Sequence, residues 1–471
     1  MVAVDDIVNK YLENARLARE YRFHRPLTDA GNAERFADSW HETVRFNHSS
    51  RCWMIFDGKR WTRDERGLAL HLARVTVRGI YGEAGTLDSE SERKATASHA
   101  RKSESIGRIR AMLELAAGDP QLSCTQSDFD ADPDLFNTPS GVFNLRTGEQ
   151  LPHSPDQMLS KISAIQPDPN HDPTAWIELL DFITAGRADL KTALQRFFGS
   201  GASGRTPKER LLIAYGTGAN SKTATFETAA RALGDYASPV AIETLSSTRR
   251  AAGHSDDLAA LQGTRFTYAA EPGHGIRLDE GRVKMLTGGD KISASHKGER
   301  TFTYRPAASI SILTNHKPRI TGRDTGIWRR MALFPFLNTI PEEKRDPEFS
   351  EKLWEKSGPF ILAWIIAGAV EWYRDGWGDS ETIKAATDDY RLDEDVFQGF
   401  IDDCCEINPL FTEQAGRLRK AYEQWCSENG HEPFRGRTWG EALAERGFSG
   451  GRNNAGRYYT GIKLQDGQNV Y

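Results

Sequence analysis

The sequence has few cysteines and no long apolar run. Five cysteines occur in 471 residues, and none has the C-x-x-C spacing of a zinc or redox site. This sparse, odd set indicates buried thiols in a reducing compartment. The most apolar stretch, residues 358–370, is thirteen residues long, whereas a membrane span needs about twenty. The N-terminal twenty residues contain no apolar signal core. We therefore expect a buried helix at 358–370, no membrane span and a cytoplasmic protein.

Charge is distributed unevenly along a chain whose formal net charge is -5. Residues 376–406 contain ten acidic and two basic side chains, whereas residues 277–330 contain twelve basic and five acidic ones. A basic segment in an acidic protein favours contact with a phosphate backbone. For any single charge run, a solvated and ion-paired face is the alternative.

Length and composition predict three domains, because the chain is too long for one ordinary core. The patterns of residues 1–165 predict a mixed α+β domain. A proline-rich segment follows and marks the end of this domain. Residues 172–375 alternate short β-like runs with helical patterns, which predicts an α/β fold with a mainly parallel sheet. Residues 395–471 predict a small winged-helix domain, with an amphipathic helix over 411–429, a second helix closed by Gly447 and a glycine-rich hairpin.

Local patterns predict further structure in the first domain. Asp57, Gly58 and Lys59 separate two short apolar runs, which predicts a β-hairpin. Residues 140–157 predict a second strand, turn and strand. The polar run over 85–105 predicts an exposed helix or loop.

An apolar run, RLLIAY, leads into a glycine-rich loop and then into a helical pattern. Backbone N–H groups of such a loop close around phosphates, whose charge the following helix N-terminus favours. Lys222 is predicted to reach the β- and γ-phosphates, and Thr223 to ligate Mg²⁺. A chance glycine-rich turn is the alternative, and Ser221 stands where the usual pattern has glycine. The predicted nucleotide-binding residues are Gly216, Thr217, Gly218, Ala219, Asn220, Ser221, Lys222 and Thr223.

Three more polar positions adjoin apolar runs. Glu271 follows RFTYAA and is predicted to polarise the attacking water and hold Mg²⁺, although a solvated edge charge is the alternative. Asn315 follows SISILT and is predicted to orient that water, although turn-forming asparagines are common. Arg329 and Arg330 precede MALFPF and suit an arginine finger that crosses a subunit boundary, with a structural salt bridge as the alternative.

A hairpin with a basic tip is predicted between Glu271 and Asn315. DKISAS and RTFTY alternate like strands around His296 and Lys297. Such a tip in the pore of a ring would grip DNA phosphates without reading bases. The alternative is a surface hairpin with a solubilising lysine.

Together these segments resemble the superfamily 3 helicases, in particular the helicase portion of the phage, plasmid and poxvirus primase-helicase family. The matching segments are GTGANSKT, RFTYAAE, KMLTGGDKISASHKGE, ILTNHKP and GIWRRMALFPF. The resemblance implies an AAA+-like P-loop core, ATP and Mg²⁺ dependence, hexameric rings and 3′-to-5′ movement on single-stranded and forked DNA, with host or phage replication proteins as further partners. It also assigns nucleotide and metal to Lys222 and Thr223, water activation to Glu271, and the sensor to Asn315. Arg330 or Arg329 becomes the trans-acting finger, and His296 and Lys297 become the pore hairpin.

Two other functions remain open on the sequence. One is an initiator or loader that uses ATP as a switch without unwinding. The other is a winged-helix binding protein with a decayed ATPase. This alternative is suggested by Ser221 and Ala270, which both depart from the commonest pattern. Because the first segment that resembles the family begins near Thr28, we expect no primase domain and no primer synthesis.

Overall fold

The computed structural model describes residues 25–205, 209–247, 255–270, 276–295, 301–320, 325–378, 380–431, 433–434, 436–454 and 456–465. The first part of this chain is a small sheet with four helices. The helices are α1 (Asp29–Trp40), α2 (Leu68–Gly85), α3 (Glu90–Ser103) and α4 (Ile106–Ala116). The strands are β1 (Val44–Asn47), β2 (Cys52–Phe56), β3 (Trp61–Arg63) and β4 (Ser123–Cys124), in the order β3-β2-β1-β4.

Two local predictions for this part are confirmed. Strands β2 and β3 pair antiparallel on either side of Asp57–Lys59, which is the predicted hairpin. The polar run over 85–105 forms helix α3, which Ser89 caps by accepting a hydrogen bond from the Glu92 backbone N–H.

A second, antiparallel sheet connects this part to the centre of the molecule. Its strands are β5 (Leu135–Thr138), β6 (Gly141–Asn144) and β7 (Gln150–Leu151), and β6 with β7 is the strand, turn and strand predicted over 140–157. Phe136 and Leu145 from this sheet are fully buried in the same apolar cluster as the central helices. The antiparallel sheet is therefore packed onto the central α/β unit.

The described residues of the central unit form seven strands. They are β8 (Leu211–Tyr215), β9 (Ala237–Pro239), β10 (Phe266–Ala270), β11 (Ile292–Ala294), β12 (Phe302–Tyr304), β13 (Ser309–Thr314) and β14 (Met331–Pro335). Five of them form a fully parallel sheet in the order β14-β8-β13-β10-β9, which confirms the predicted α/β character. The other two, β11 and β12, form the predicted antiparallel hairpin.

Helices cover both faces of the parallel sheet. They are α5 (Thr174–Thr184), α6 (Ala188–Ala202), α7 (Lys222–Leu233), α8 (Ser255–Ala259), α9 (Glu280–Thr287), α10 (Thr325–Trp328), α11 (Phe349–Asp375) and α12 (Glu381–Glu394). Side chains of β8 alternate between two cores: Leu212 and Ala214 pack with α6, α7 and α11, whereas Leu211 and Ile213 pack with α9 and α10. Burial on both sides explains why the predicted strands are continuous apolar runs.

The apolar stretch 358–370 lies within α11 and is buried against α6. Gly368 approaches the Gln195 backbone so closely that an added Cβ would lie 2.4 Å from its carbonyl oxygen. The predicted buried helix is thereby confirmed. Among the helices of the described ranges, none has both the length and the apolar character needed to cross a bilayer.

The C-terminal part has its own apolar core. Its elements are α13 (Val396–Cys404), β15 (Cys405–Gln414), α14 (Ala415–Glu428), α15 (Gly436–Glu445), β16 (Ser449–Asn453) and β17 (Gly456–Leu464). The predicted second helix and the glycine-rich hairpin are confirmed. The predicted start of the first helix at Phe411 is wrong, because Thr412–Gln414 pair with Tyr458–Thr460 and the helix begins at Ala415.

Candidate nucleotide-binding site

The loop between β8 and α7 lies at the carboxyl edge of the parallel sheet. Three of its residues have left-handed backbones, namely Gly218 at φ 100°, Ala219 at φ 45° and Ser221 at φ 61°. Successive right- and left-handed residues turn backbone N–H groups toward one concave side, which is how anion-binding nests form. The conformation of Ser221 also explains why glycine is usual at this position.

Contacts with the chain that follows β14 hold the loop in place. An added Cβ on Gly216 would lie 2.1 Å from Asn220 Nδ2 and 3.0 Å from the Phe336 carbonyl oxygen, so this position requires glycine. The Ile340 backbone N–H donates to the Ala219 carbonyl at 2.6 Å. Ile340 was not singled out from the sequence, because it lies beyond the quoted motifs.

Lys222, at the first turn of α7, is the centre of the site. Its side chain folds back over the loop, and the residue is only 6% exposed. The ammonium donates to the Gly216 carbonyl at 2.9 Å, to Asn220 Oδ1 at 2.9 Å and to Asn315 Oδ1 at 2.8 Å. All three donors of the lysine are therefore satisfied by the protein itself.

None of the three acceptors of Lys222 carries a charge. Burial lowers the pKa of the Lys222 ammonium to about 8, because the charged form loses hydration that neutral oxygens replace only in part. Among the described residues, the buried Nδ2 of Asn220 also has no hydrogen-bond partner. A buried cation and an unused N–H donor beside a small-residue loop fit the phosphates of a nucleotide.

Asn315 reaches Lys222 because β13 lies next to β8 in the sheet. Thr314 ends β13 beside Tyr215, the last residue of β8, so the following residues meet at one edge. On the other side of β13, Ala270 pairs with Leu313 and ends β10. Glu271, predicted to follow at this same edge, lies outside the described residues.

A magnesium site would depend on few protein ligands. In the described part of the chain no group of three or more His, Cys, Asp or Glu side chains could hold a metal. Thr223 is exposed at the start of α7, beside the loop. Mg²⁺ commonly uses one or two protein oxygens together with substrate phosphates, and the use of Thr223 stays a prediction.

The two arginines occupy different environments. Arg330 is 7% exposed, and its guanidinium donates to Thr287 Oγ1 at 3.2 Å and to the Gly326 carbonyl at 2.6 Å. Arg329 is exposed and pairs with Glu209 at 2.6 Å. Both precede β14 at the amino edge of the sheet, opposite the loop, and Arg329 is the exposed one of the two.

The predicted basic hairpin is described in its strands. Ile292, Ser293 and Ala294 pair with Tyr304, Thr303 and Phe302 respectively. His296 and Lys297 lie outside the described residues.

Lys317 is a residue that the sequence patterns did not indicate. It lies two positions after Asn315, with its ammonium 5.7 Å from the Tyr215 ring centre and 5.5 Å from that of Tyr390. It also pairs with Asp393 on α12 at 2.6 Å. The edge that carries the candidate site is thus tied to the helix that leads into the C-terminal part.

Parts of this chain are similar in sequence to known proteins. Residues 33–185 match the family described as D5 N terminal like. A putative helicase of Acanthamoeba polyphaga mimivirus is 24% identical over 393 residues, which are 74% of this chain and 40% of the relative. A putative helicase of Frog virus 3 is 26% identical over 286 residues, which are 56% of this chain and 29% of the relative. The chain thus spans less than half the length of either relative.

Two solved structures are also similar to this chain. The apo structure of the NrS-1 C terminal region has a TM-score of 0.47 at 11% identity and covers 89% of this chain and 96% of that chain. An A form apo structure of the same region has a TM-score of 0.45 at 10% identity and covers 90% of this chain and 96% of that chain.

Proposed function

Because the chain carries the D5 N terminal like domain of the primase-helicase family and is related to viral putative helicases, we propose that it is an ATP-dependent replicative DNA helicase. In this proposal it forms a hexameric ring and moves 3′-to-5′ on single-stranded DNA during phage or plasmid-type replication. The relatives' names support the unwinding activity, and the candidate nucleotide site supports its dependence on ATP and Mg²⁺.

The observation that carries the proposal is the contact between Lys222 and Asn315. A lysine that begins a helix after a glycine-rich loop meets an amide at the end of the neighbouring strand. This contact supports a position for the terminal phosphate beside both groups. The strand order, with β13 between β8 and β10, supports the AAA+-like reading, since it brings the end of β13, which Asn315 follows, beside the loop.

Each residue then has a distinct task. Lys222 stabilises negative charge on the phosphates, and the loop N–H groups and the Asn220 amide contribute to the same stabilisation. Thr223 would hold Mg²⁺ through its hydroxyl oxygen, and the bound ion would neutralise charge on the phosphate oxygens. Asn315 orients the water that Glu271 polarises.

The remaining groups act between subunits and on DNA. Arg329 is the better candidate for the finger that completes a neighbour's site, since Arg330 is already satisfied within its own chain. His296 and Lys297 would contact phosphates in the pore. The C-terminal part, with three helices and a three-stranded sheet, supports a winged-helix domain that adds a further contact to duplex or partner.

Strand displacement on forked DNA tests the proposal. Forks with either a 3′ or a 5′ single-stranded tail are incubated with ATP and Mg²⁺, and we expect displacement only where the 3′-tailed strand is available for loading. Lys222→Ala should stop both hydrolysis and displacement, whereas Lys384→Ala, an exposed lysine of α12, should stop neither. Hydrolysis without displacement on any fork would favour the initiator or loader instead.

A further inference from the structure

A groove on the N-terminal sheet lies apart from the candidate nucleotide site. It is a cavity of about 400 Å³ between the turn-side ends of β1 and β2 and the C-terminal end of α4. This volume is within the roughly 300–1,000 Å³ of small-ligand sites. The side chains used below are Phe46, His48, Arg51, Trp53, Leu113 and Glu114.

The sheet side of the groove is aromatic. Val44 and Ile55 pair across β1 and β2 and are buried, at 0% and 7% exposure. Phe46 and Trp53 are the next pair on the same face, and they are only half-buried. Their rings lie 5.2 Å apart at 68°, and Phe46 lies 5.0 Å from the His48 ring at 79°. Aromatic surface thus continues from the core to solvent at this end of the sheet.

The rim of the groove carries positive charge. Arg51 is exposed in the turn that joins β1 to β2, with a left-handed backbone at φ 52°. Arg110 is exposed on α4, one turn before Glu114. Neither arginine forms an ion pair with any residue that the structure describes. His48 holds the two walls together, since its Nε2 donates to the Ala117 carbonyl at 2.9 Å.

We propose that this groove binds a base of single-stranded DNA and the phosphate next to it. This inference rests on the proposed helicase function and adds a DNA contact separate from the pore hairpin. The base stacks against Phe46 and Trp53, which is a sequence-tolerant contact, while Arg51 pairs with the phosphate. Glu114, on the helix side, accepts from the amino group of adenine, cytosine or guanine.

Binding of a labelled 15-nucleotide single strand to the full chain, followed by fluorescence anisotropy, tests the groove. Trp53→Ala and Phe46→Leu should each weaken binding by about 5- to 150-fold, the range for loss of one stacked base. Phe46→Leu keeps an apolar side chain and so preserves the fold. ATP hydrolysis without DNA should stay unchanged in both variants. Phe46 and Trp53 belong to the four-stranded N-terminal sheet, whereas Lys222 follows a strand of the five-stranded parallel sheet.

Arg51→Gly separates a binding defect from a folding defect. It removes the charge and relieves a left-handed residue, so the variant should fold at least as well as the parent. The salt dependence of binding should lose about 0.7 of its logarithmic slope, as expected for one phosphate contact on a single strand.

Matched controls come from the other end of α4. Tyr81 is 40% exposed and bonds to Glu104 just before that helix, and Lys102 is exposed at the end of α3. Tyr81→Ala and Lys102→Gln should leave affinity unchanged. Unchanged affinity in Trp53→Ala, Phe46→Leu and Arg51→Gly, with tight binding by the parent, would overturn the groove alone. A parent chain that binds no single strand would overturn the helicase proposal as well.

A competition experiment distinguishes a DNA strand from a free nucleotide. Free dCMP carries the same base and phosphate, but it should displace the 15-nucleotide strand only at concentrations far above that of the unlabelled strand. Equal potency of dCMP and the strand would show a mononucleotide site and would contradict the proposal.

Discussion

Lys222 and Asn315 are 93 residues apart in the sequence, and a hydrogen bond of 2.8 Å joins them at the edge of the sheet. The bond exists because β8 and β13 are neighbours in the sheet, although four strands, β9 to β12, lie between them along the chain. Asn315 is one of only three acceptors of a buried ammonium whose pKa burial has lowered to about 8. A bound triphosphate would replace these neutral acceptors by charged ones.

Two substitutions at Asn315 test this exchange. Asn315→Asp places a carboxylate against Lys222 and against the incoming phosphates, so ATP affinity should fall by at least about tenfold. Asn315→Ala only removes an acceptor and should leave affinity nearly unchanged while slowing hydrolysis. Calorimetric titration with a slowly hydrolysed ATP analogue, together with ATPase rates, measures both. Equal affinity in Asn315→Asp and the parent would remove Asn315 from the phosphate site.

Ser221→Gly is predicted to stabilise the protein. Ser221 has φ 61° and ψ 17°, a left-handed conformation that costs a residue with a Cβ about 1 kcal/mol relative to glycine. The free energy of unfolding in urea should therefore rise by about 1 kcal/mol. Ala224→Gly, three residues on and inside α7, should lower it by roughly 0.5–1 kcal/mol. A destabilised Ser221→Gly variant would mean that the hydroxyl itself holds the loop.

The central fold was predictable where burial on both faces leaves a continuous apolar run. Strands β8, β10, β13 and β14 follow from that pattern, and the polar residues after them mark the site. Strand β9 does not, because Ala237–Pro239 is a short edge strand that pairs only with β10 and needs no apolar run. The start of α14 was misassigned at Phe411 for a related reason: pairing with β17 overrides the local helical pattern.

Contacts between distant segments could not be predicted from the chain alone. The environment of Arg330 depends on Thr287 and Glu209, neither of which belongs to its motif. Likewise, the aromatic groove depends on β1 and β2 meeting the end of α4, and Trp53 by itself resembles any core tryptophan. Motifs identify residue types, whereas burial and partners follow from the packing.

A buried histidine predicts sensitivity to acid in the N-terminal part. His99 is 6% exposed, with Nε2 3.0 Å from Asn32 Oδ1 and 3.3 Å from Ser103 Oγ. Burial, with the nearby charge of Arg35, lowers the pKa of His99. The unfolded chain then binds the proton more readily, so stability is full above about pH 6.5 and falls as the pH drops below it.

Thermal unfolding between pH 5 and pH 8 measures this effect. The melting temperature of the parent should decline below about pH 6.5. His99→Gln has no titrating ring, so part of that decline should disappear, even if the variant is less stable at pH 8. An identical decline in both proteins would assign the acid sensitivity to other groups.

Replacing Lys297 distinguishes a helicase that moves along DNA from an initiator or loader that uses ATP as a switch. Strands β11 and β12 connect the strand before Glu271 with the strand before Asn315, so a hairpin tip there could respond to nucleotide state. Lys297→Ala should keep basal ATPase, lose DNA stimulation and unwinding, and lower the salt slope of single-strand binding by roughly 0.7. Lys291→Ala, on the same hairpin before β11, is the matched control. Unwinding by Lys297→Ala at the parent rate would exclude the hairpin from the mechanism.

The last prediction concerns Arg329 and Arg330 and the proposed boundary between subunits. Both precede Met331, which pairs with Leu211 at the start of β8, whereas the loop follows Tyr215 at its end. Five strand residues at about 3.3 Å each place the arginines roughly 16 Å from their own loop. In the proposed head-to-tail ring, they would therefore lie closer to the nucleotide of a neighbouring subunit than to their own.

Arg329 is exposed and Arg330 is buried, so their alanine variants should differ in stability. Arg330→Ala removes a buried guanidinium and takes from the Gly326 carbonyl the donor it has in the parent, so it should lower the melting temperature. Arg329→Ala loses only an exposed ion pair worth about 0–1 kcal/mol, so it should fold normally and still lose most ATPase. Mixing Arg329→Ala with Lys222→Ala subunits should restore part of that ATPase, because some interfaces then combine an intact loop with an intact arginine. Verified mixed rings without any restored activity would show that Arg329 does not act across the boundary.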